Sequence, residues 1–144
     1  MKSLIPLLII LILIDQYTKK IVLDGFRFSS NFFDIILVYN EGSAFGFKLM
    51  SNEQYLIVNS FILILFSFII FYLYNKAENR YKFLYLVSLV FVSAGGVGNL
   101  IDRLIHGKVV DFISILNFPV FNLADVFVSI GVTLLVACFI FDRK

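Results

Sequence analysis

Asp111 and Asp125 stand fourteen positions apart, on either side of a turn through Pro119 that must bring the chain back on itself. If both flank the same end of a helical bundle, their carboxyl groups meet. Two carboxylates held close cannot easily both ionise, so they share a proton; the ionised one can draw a proton from water while the protonated one polarises a carbonyl. Such chemistry needs neither metal, nucleophilic serine nor cofactor. Asn122-x-x-Asp125 also has a plainer reading, because an asparagine followed three residues later by an acid resembles the cap that starts a helix.

A second polar group precedes this pair. Gly95-Gly96-Val97-Gly98-Asn99-Leu100-Ile101-Asp102-Arg103 begins inside an apolar run yet brings in an amide, an acid and a guanidinium. On a helix, Gly95, Asn99 and Arg103 fall at i, i+4 and i+8, with Asp102 beside them on one face. The glycines admit a neighbouring backbone. Arg103 and Asn99 are suited to fix the acids or to bind substrate carbonyls, since a guanidinium is a rigid fork of donors. Asp102 can pair with Arg103, orient it, or compete with Asp111 as a member of the acid pair. The plainer reading is a helix end, with Arg103 and His106 near its C-terminus and Gly107 as a left-handed cap. Asp15 and Lys19, four apart, form a self-neutralising helical pair. Asn40-Glu41-Gly42 reads as a turn.

The elements that must position these groups are membrane spans. The chain has 144 residues, enough for one domain, and 60% of them are hydrophobic, against roughly 45–50% in soluble domains. A single domain over 1–144 is expected, mainly α-helical, with four transmembrane helices near 4–23, 55–74, 83–106 and 118–141. The stretch 24–53 is too polar to span. Within it, Ile35 to Tyr39, the turn and Ala44 to Phe47 predict a small hairpin or sheet on the membrane surface whose phenylalanines dip into the headgroup region or cover a site. The span 55–74 reads as scaffold, interrupted only by Asn59 and two serines, and 112–120 as a connecting loop. Four spans put both termini on one side, but six cationic residues fall on each side of the membrane, so charge counting does not orient the chain strongly. In either orientation Asp15, Asn40, Asp102, Arg103, Asp111 and Asp125 collect at one end of the bundle. The single cysteine, Cys138, excludes an internal disulfide. There is no cluster with metal-ligand spacing, and no basic stripe for nucleic acid.

Five motifs occur in order between residues 15 and 125: Asp15-Gln16-x-x-Lys19; Asn40-x-Gly42-x-Ala44-Phe45; Gly95-Gly96-x-x-Asn99-x-x-Asp102-Arg103; Val109-Val110-Asp111-Phe112; and Phe121-Asn122-x-Ala124-Asp125. Together they resemble the motif set of the bacterial lipoprotein signal peptidases, the type II signal peptidases. The resemblance implies a four-span aspartic endopeptidase of the bacterial inner membrane, with cytoplasmic termini, a small extracytoplasmic sheet and its active site at the outer leaflet. It implies cleavage of diacylglyceryl-modified prolipoproteins just before the lipidated cysteine, with no cofactor, membrane lipids as surroundings and the cyclic peptide globomycin as an inhibitor. The catalytic pair it implies is Asp111 and Asp125. Asp15, Lys19, Asn40, Gly42, Asn99, Asp102, Arg103, Asn122 and Ala124 take supporting or substrate-binding roles. A proton-coupled carrier or channel subunit is the rival reading, since buried acids also mark ion pathways, but it requires polar groups through the whole membrane depth. A nonenzymatic assembly factor would tolerate amides in place of the acids.

Overall fold

Each helix starts and stops where local chemistry requires. The computed structural model describes residues 4–42, 50–116 and 118–142. Helix α1 (Ile5–Leu23) has a proline in its first turn, where a missing N–H costs nothing. Helix α2 (Asn52–Lys76) opens on a reciprocal cap: the Gln54 amide donates to Ser51 Oγ and the Ser51 amide to Gln54 Oε1. Helix α3 (Asn79–His106) ends at Gly107, whose φ of 72° is the left-handed cap expected there. Asp142, just past the far end of α4 (Leu123–Phe141), accepts the Glu78 amide at 3.0 Å and so caps the start of α3.

The antiparallel sheet has the order β1-β2-β3, with β1 (Phe28–Ser29), β2 (Phe33–Asn40) and β3 (Val109–Ile115). Two expectations need correction here. Residues 112–115 are not loop: with 109–111 they form the third strand, pairing Val38 with Asp111 and Asn40 with Val109. The fourth helix begins at Leu123 rather than near 118, because the Phe121 amide and carbonyl pair with the β3 backbone and Asn122 then caps the helix. The Ala44 to Phe47 half of the expected hairpin lies outside the described residues.

Helix α3 is the centre of the bundle, packing against α1, α2 and most extensively α4. Small residues permit the α3–α4 approach. A Cβ on Gly95 would strike the Ala124 carbonyl and the Val128 side chain. One on Gly131 would lie 2.8 Å from the Val92 amide nitrogen and 2.9 Å from the Ser88 carbonyl oxygen, and the Ser88 hydroxyl already donates to the Gly131 carbonyl at 2.7 Å. A Val92 methyl lies as close, at 2.7 Å, but the other two obstacles to Gly131→Ala are backbone and cannot rotate away, so this replacement should cost about 1–3 kcal/mol. Thermal unfolding in detergent would measure it, and an unchanged melting temperature would contradict the packing.

The outer surface is apolar. Ile57, Phe61, Ile64, Phe68 and Phe71 of α2 all project away from the protein, an arrangement suited to lipid as solvent. Three helices, α2, α3 and α4, are long and apolar enough to cross a membrane. Helix α1 carries Asp15, Lys19 and Lys20. The chain is a membrane protein.

Candidate active site

The two acids reach one cavity from different elements. Asp111 projects from β3 and Asp125 from the first turn of α4, and both line a cavity of about 970 Å³. Asp111 accepts hydrogen bonds from Asn122 Nδ2 at 2.7 Å on one oxygen and from Asn40 Nδ2 at 3.0 Å on the other. Asp125 accepts from Asn99 Nδ2 at 2.8 Å and from the Asn122 amide at 3.2 Å. Asn122 therefore holds both acids. It is at the same time the helix cap, since its Oδ1 accepts the Asp125 amide at 3.0 Å. The motif is the helix cap of its plain reading, and its asparagine also bonds both cavity acids. Burial pushes the Asp111 carboxyl up to about 6, and the neighbouring charge of Asp125 adds to the rise; the hydrogen bonds from Asn40 and Asn122 and the charge of Lys19 oppose it.

Behind the pair lies a buried ion cluster. Lys19 Nζ is 2.8 Å from a carboxylate oxygen of Asp15 and 2.8 Å from one of Asp102, and donates to Asn99 Oδ1 at 3.1 Å. All three charged side chains are at most 2% exposed. Each acid also holds the backbone next to a cavity-lining acid. Asp15 accepts the amide of Ala124, which precedes Asp125, at 2.9 Å; Asp102 accepts the amide of Val110, which precedes Asp111, at 3.1 Å. Gln16, which stands in the first motif without a role of its own, donates to both acids and to the Gly98 carbonyl. Asp102 thus serves Lys19 and β3. It lines a separate cavity of about 370 Å³ with Gln16, Lys19 and His106 rather than the one between Asp111 and Asp125.

Arg103 turns the other way from Asp102. Its Nη2 donates to the Gly42 carbonyl at 2.6 Å, and its guanidinium lies 4.9 Å from the centre of the Tyr55 ring. Among the described residues its Nε and Nη1 meet no acceptor, although the side chain lines the cavity. The turn at Asn40 is also present, with the Gly42 amide donating to Asn40 Oδ1 at 3.0 Å, so Asn40 shapes the turn and holds Asp111 at once. The cavity continues from the acids along α2 and α4, past Asn59, Ile62, Leu63 and Phe66 on one wall and Val128, Val132 and Leu134 on the other. Helix α2 is therefore a wall of the site as well as scaffold. Phe118 to Phe121 border it on the α4 side, as the turn through Pro119 should.

Fold and site together define a membrane protein with two carboxylates, held by three asparagines, facing a cleft between its helices. The family pattern described as signal peptidase (SPase) II matches residues 7–141, and the chain belongs to that family of peptidases. It is 34% identical over 137 residues to a lipoprotein signal peptidase of Burkholderia cenocepacia, covering 89% of this chain and 81% of the relative. To that of Burkholderia ambifaria it is 37% identical over 138 residues, with the same coverage. Among solved structures, a bacterial membrane enzyme determined by the in meso method at 2.3 Å aligns with a TM-score of 0.79 and 30% identity, over 97% of this chain and 88% of the other. A second, at 1.9 Å, aligns with a TM-score of 0.74 and 29% identity, over 94% and 90%.

Proposed function

We propose that this chain is an aspartic endopeptidase of the bacterial cytoplasmic membrane that removes signal peptides from diacylglyceryl-modified prolipoproteins, cutting before the lipidated cysteine. The observation that carries the reading is the joint suspension of Asp111 and Asp125 from Asn122 at a cavity that runs on between apolar helix faces. Helix α1 serves as a fourth span. Its 19 residues measure about 28 Å, and its buried charges are neutralised in large part by the Asp15–Lys19–Asp102 cluster. The termini are cytoplasmic and the sheet lies at the outer leaflet, where Phe26, Phe28, Phe32 and Phe33 are exposed to meet headgroups.

In this mechanism the protonated acid donates to the scissile carbonyl oxygen while the ionised acid takes a proton from water, and the water oxygen bonds to the carbonyl carbon. The resulting gem-diol collapses: the carbon–nitrogen bond breaks, the nitrogen gains a proton from the acid that received one, and the other acid recovers its own from the diol. Asp111, with its carboxyl raised to about 6, suits the protonated role. Acyl chains on the substrate cysteine stay in lipid while the peptide enters the polar end of the cavity.

Purified protein in bilayers should cleave a diacylglyceryl-modified prolipoprotein and leave the unmodified precursor intact, and globomycin should stop the reaction. Equal cleavage of both precursors would overturn the lipid requirement, and cleavage of neither would overturn the reading itself.

A further inference from the structure

Asn59 is the one residue of the cavity wall on α2 whose side chain is strongly polar. Helices α2 and α3 run antiparallel, and two contacts fix their relative level: Tyr55 lies against Arg103, and Leu63 faces Gly96. Asn59 is one turn below Tyr55, and Asn99 one turn below Arg103, so the two asparagines stand at the same depth. Asn99 holds Asp125 at 2.8 Å, which places Asn59 on the α2 wall at the level of the acids. Asn59, Ile62, Leu63 and Phe66 fall at i, i+3, i+4 and i+7, forming one stripe that faces the cavity.

The other amides of this cavity are occupied. Asn40 binds Asp111 and the Gly42 amide, while Asn99 binds Asp125, Lys19 and Asn122. The Ser129 and Thr133 hydroxyls, on the α4 wall, donate to carbonyls one turn back on their own helix. Among the described residues no hydrogen bond reaches the Asn59 carboxamide, which stands half-buried above an apolar wall. An amide in such surroundings is costly until it finds a partner.

A substrate for peptide hydrolysis supplies that partner. The scissile carbonyl must leave any helix to meet water and the acids, so the residues beside it lose their internal hydrogen bonds in a groove whose walls are largely apolar. A carboxamide offers two donors and an acceptor, enough to satisfy both the C=O and the N–H of one extended residue. We infer that Asn59 is a substrate-binding residue, pairing with the extended peptide backbone next to the scissile bond. This rests on the peptidase reading above.

The test compares wild type with Asn59→Leu and Asn59→Gln on the diacylglyceryl-modified prolipoprotein, with melting temperatures alongside. Asn59→Leu should lower kcat/KM about tenfold, mainly through KM, while melting at or above the wild-type temperature because an apolar side chain replaces an unpartnered amide. Asn59→Gln, which keeps the carboxamide, should stay within about threefold of wild type. Wild-type kcat/KM in Asn59→Leu would overturn the assignment, as would a loss that both variants share together with a lower melting temperature. Cleavage by wild type in those cases leaves the peptidase reading standing; absence of cleavage by wild type overturns both.

Discussion

Replacing either Asp111 or Asp125 by asparagine should lower turnover of the lipidated substrate by about three to four orders of magnitude, the scale of a positioned acid or base. Folding should survive. For Asp111→Asn the structure goes further and requires a gain in stability at alkaline pH. The Asp111 carboxyl rises from 3.8 to about 6 in the folded protein, chiefly through burial. Between those values the folded form holds more protons than the unfolded form, so wild-type stability falls as pH rises through this window, by about 3 kcal/mol for a rise of this size. Asparagine carries no charge to bury. It does replace one acceptor oxygen with an NH₂ that confronts a donor, Asn40 Nδ2 or Asn122 Nδ2, at a cost of about 1 kcal/mol. The net expectation is a variant more stable than wild type by about 1–2 kcal/mol at pH 8 and slightly less stable below pH 4, measured by unfolding in detergent. In the proposed mechanism the same titration also sets activity. Because one acid must hold the shared proton, kcat/KM of the wild type should decline as pH rises through about 6 in the free enzyme. A flat profile, or full turnover by either asparagine variant, would remove that residue from the pair.

What the residues disclose in advance depends on how local their partners are. Helix interiors are decided by hydrophobic runs, and caps by neighbours three or four positions away, so the αL stop at Gly107 and the Asn122–Asp125 cap were both legible. The start of α4 was not, because Phe118, Val120 and Phe121 are apolar enough to extend a span. Only the pairing of Phe121 with the β3 backbone shows that they belong to an extended segment. Strand β3 was hidden for a related reason. Its alternation of Val110, Phe112 and Ser114 with Val109, Asp111, Ile113 and Ile115 is weak, and its partner β2 lies about seventy residues earlier. The ordered motifs pointed to Asp111 and Asp125, which the fold brings to one cavity, but their spacing alone could not say which groups would be neighbours. Asp102 stands next to Arg103 in sequence, yet adjacent helix positions point about 100° apart, so one turns to Lys19 of α1 and the other to Gly42 and Tyr55. Asn59 was read as an incidental interruption of a scaffold helix because nothing within its own helix marks the cavity that α4 encloses on the far side.

Lys19→Met should be the most destabilising of the single changes considered, costing about 3–5 kcal/mol, while Asp15→Asn should cost about 1 kcal/mol or less. The asymmetry follows from charge. Asp15 and Asp102 share one cation, each 2.8 Å from Lys19 Nζ, so the cluster carries one excess negative charge. Removing the lysine leaves two buried carboxylates facing each other with no cation between them, the circumstance in which breaking a buried pair is expensive. Converting Asp15 to asparagine leaves one lysine and one acid, and the retained Oδ1 can still accept the Ala124 amide; the cost, about 1 kcal/mol, comes from the new NH₂ that faces the Lys19 and Gln16 donors. Restoring the balance should therefore rescue the lysine variant in part. Lys19→Met combined with Asp15→Asn should be more stable than Lys19→Met alone, an order opposite to simple addition of two losses. Function should follow the same ordering, since Lys19 also holds Asn99, which holds Asp125, and since Asp15 and Asp102 fix the backbone beside the two cavity acids. Chemical or thermal unfolding of the four proteins in one detergent gives the complete cycle. Equal losses for Lys19→Met and Asp15→Asn, adding in the double variant, would mean that the cluster acts through packing alone and that its charges play no part in holding the site together.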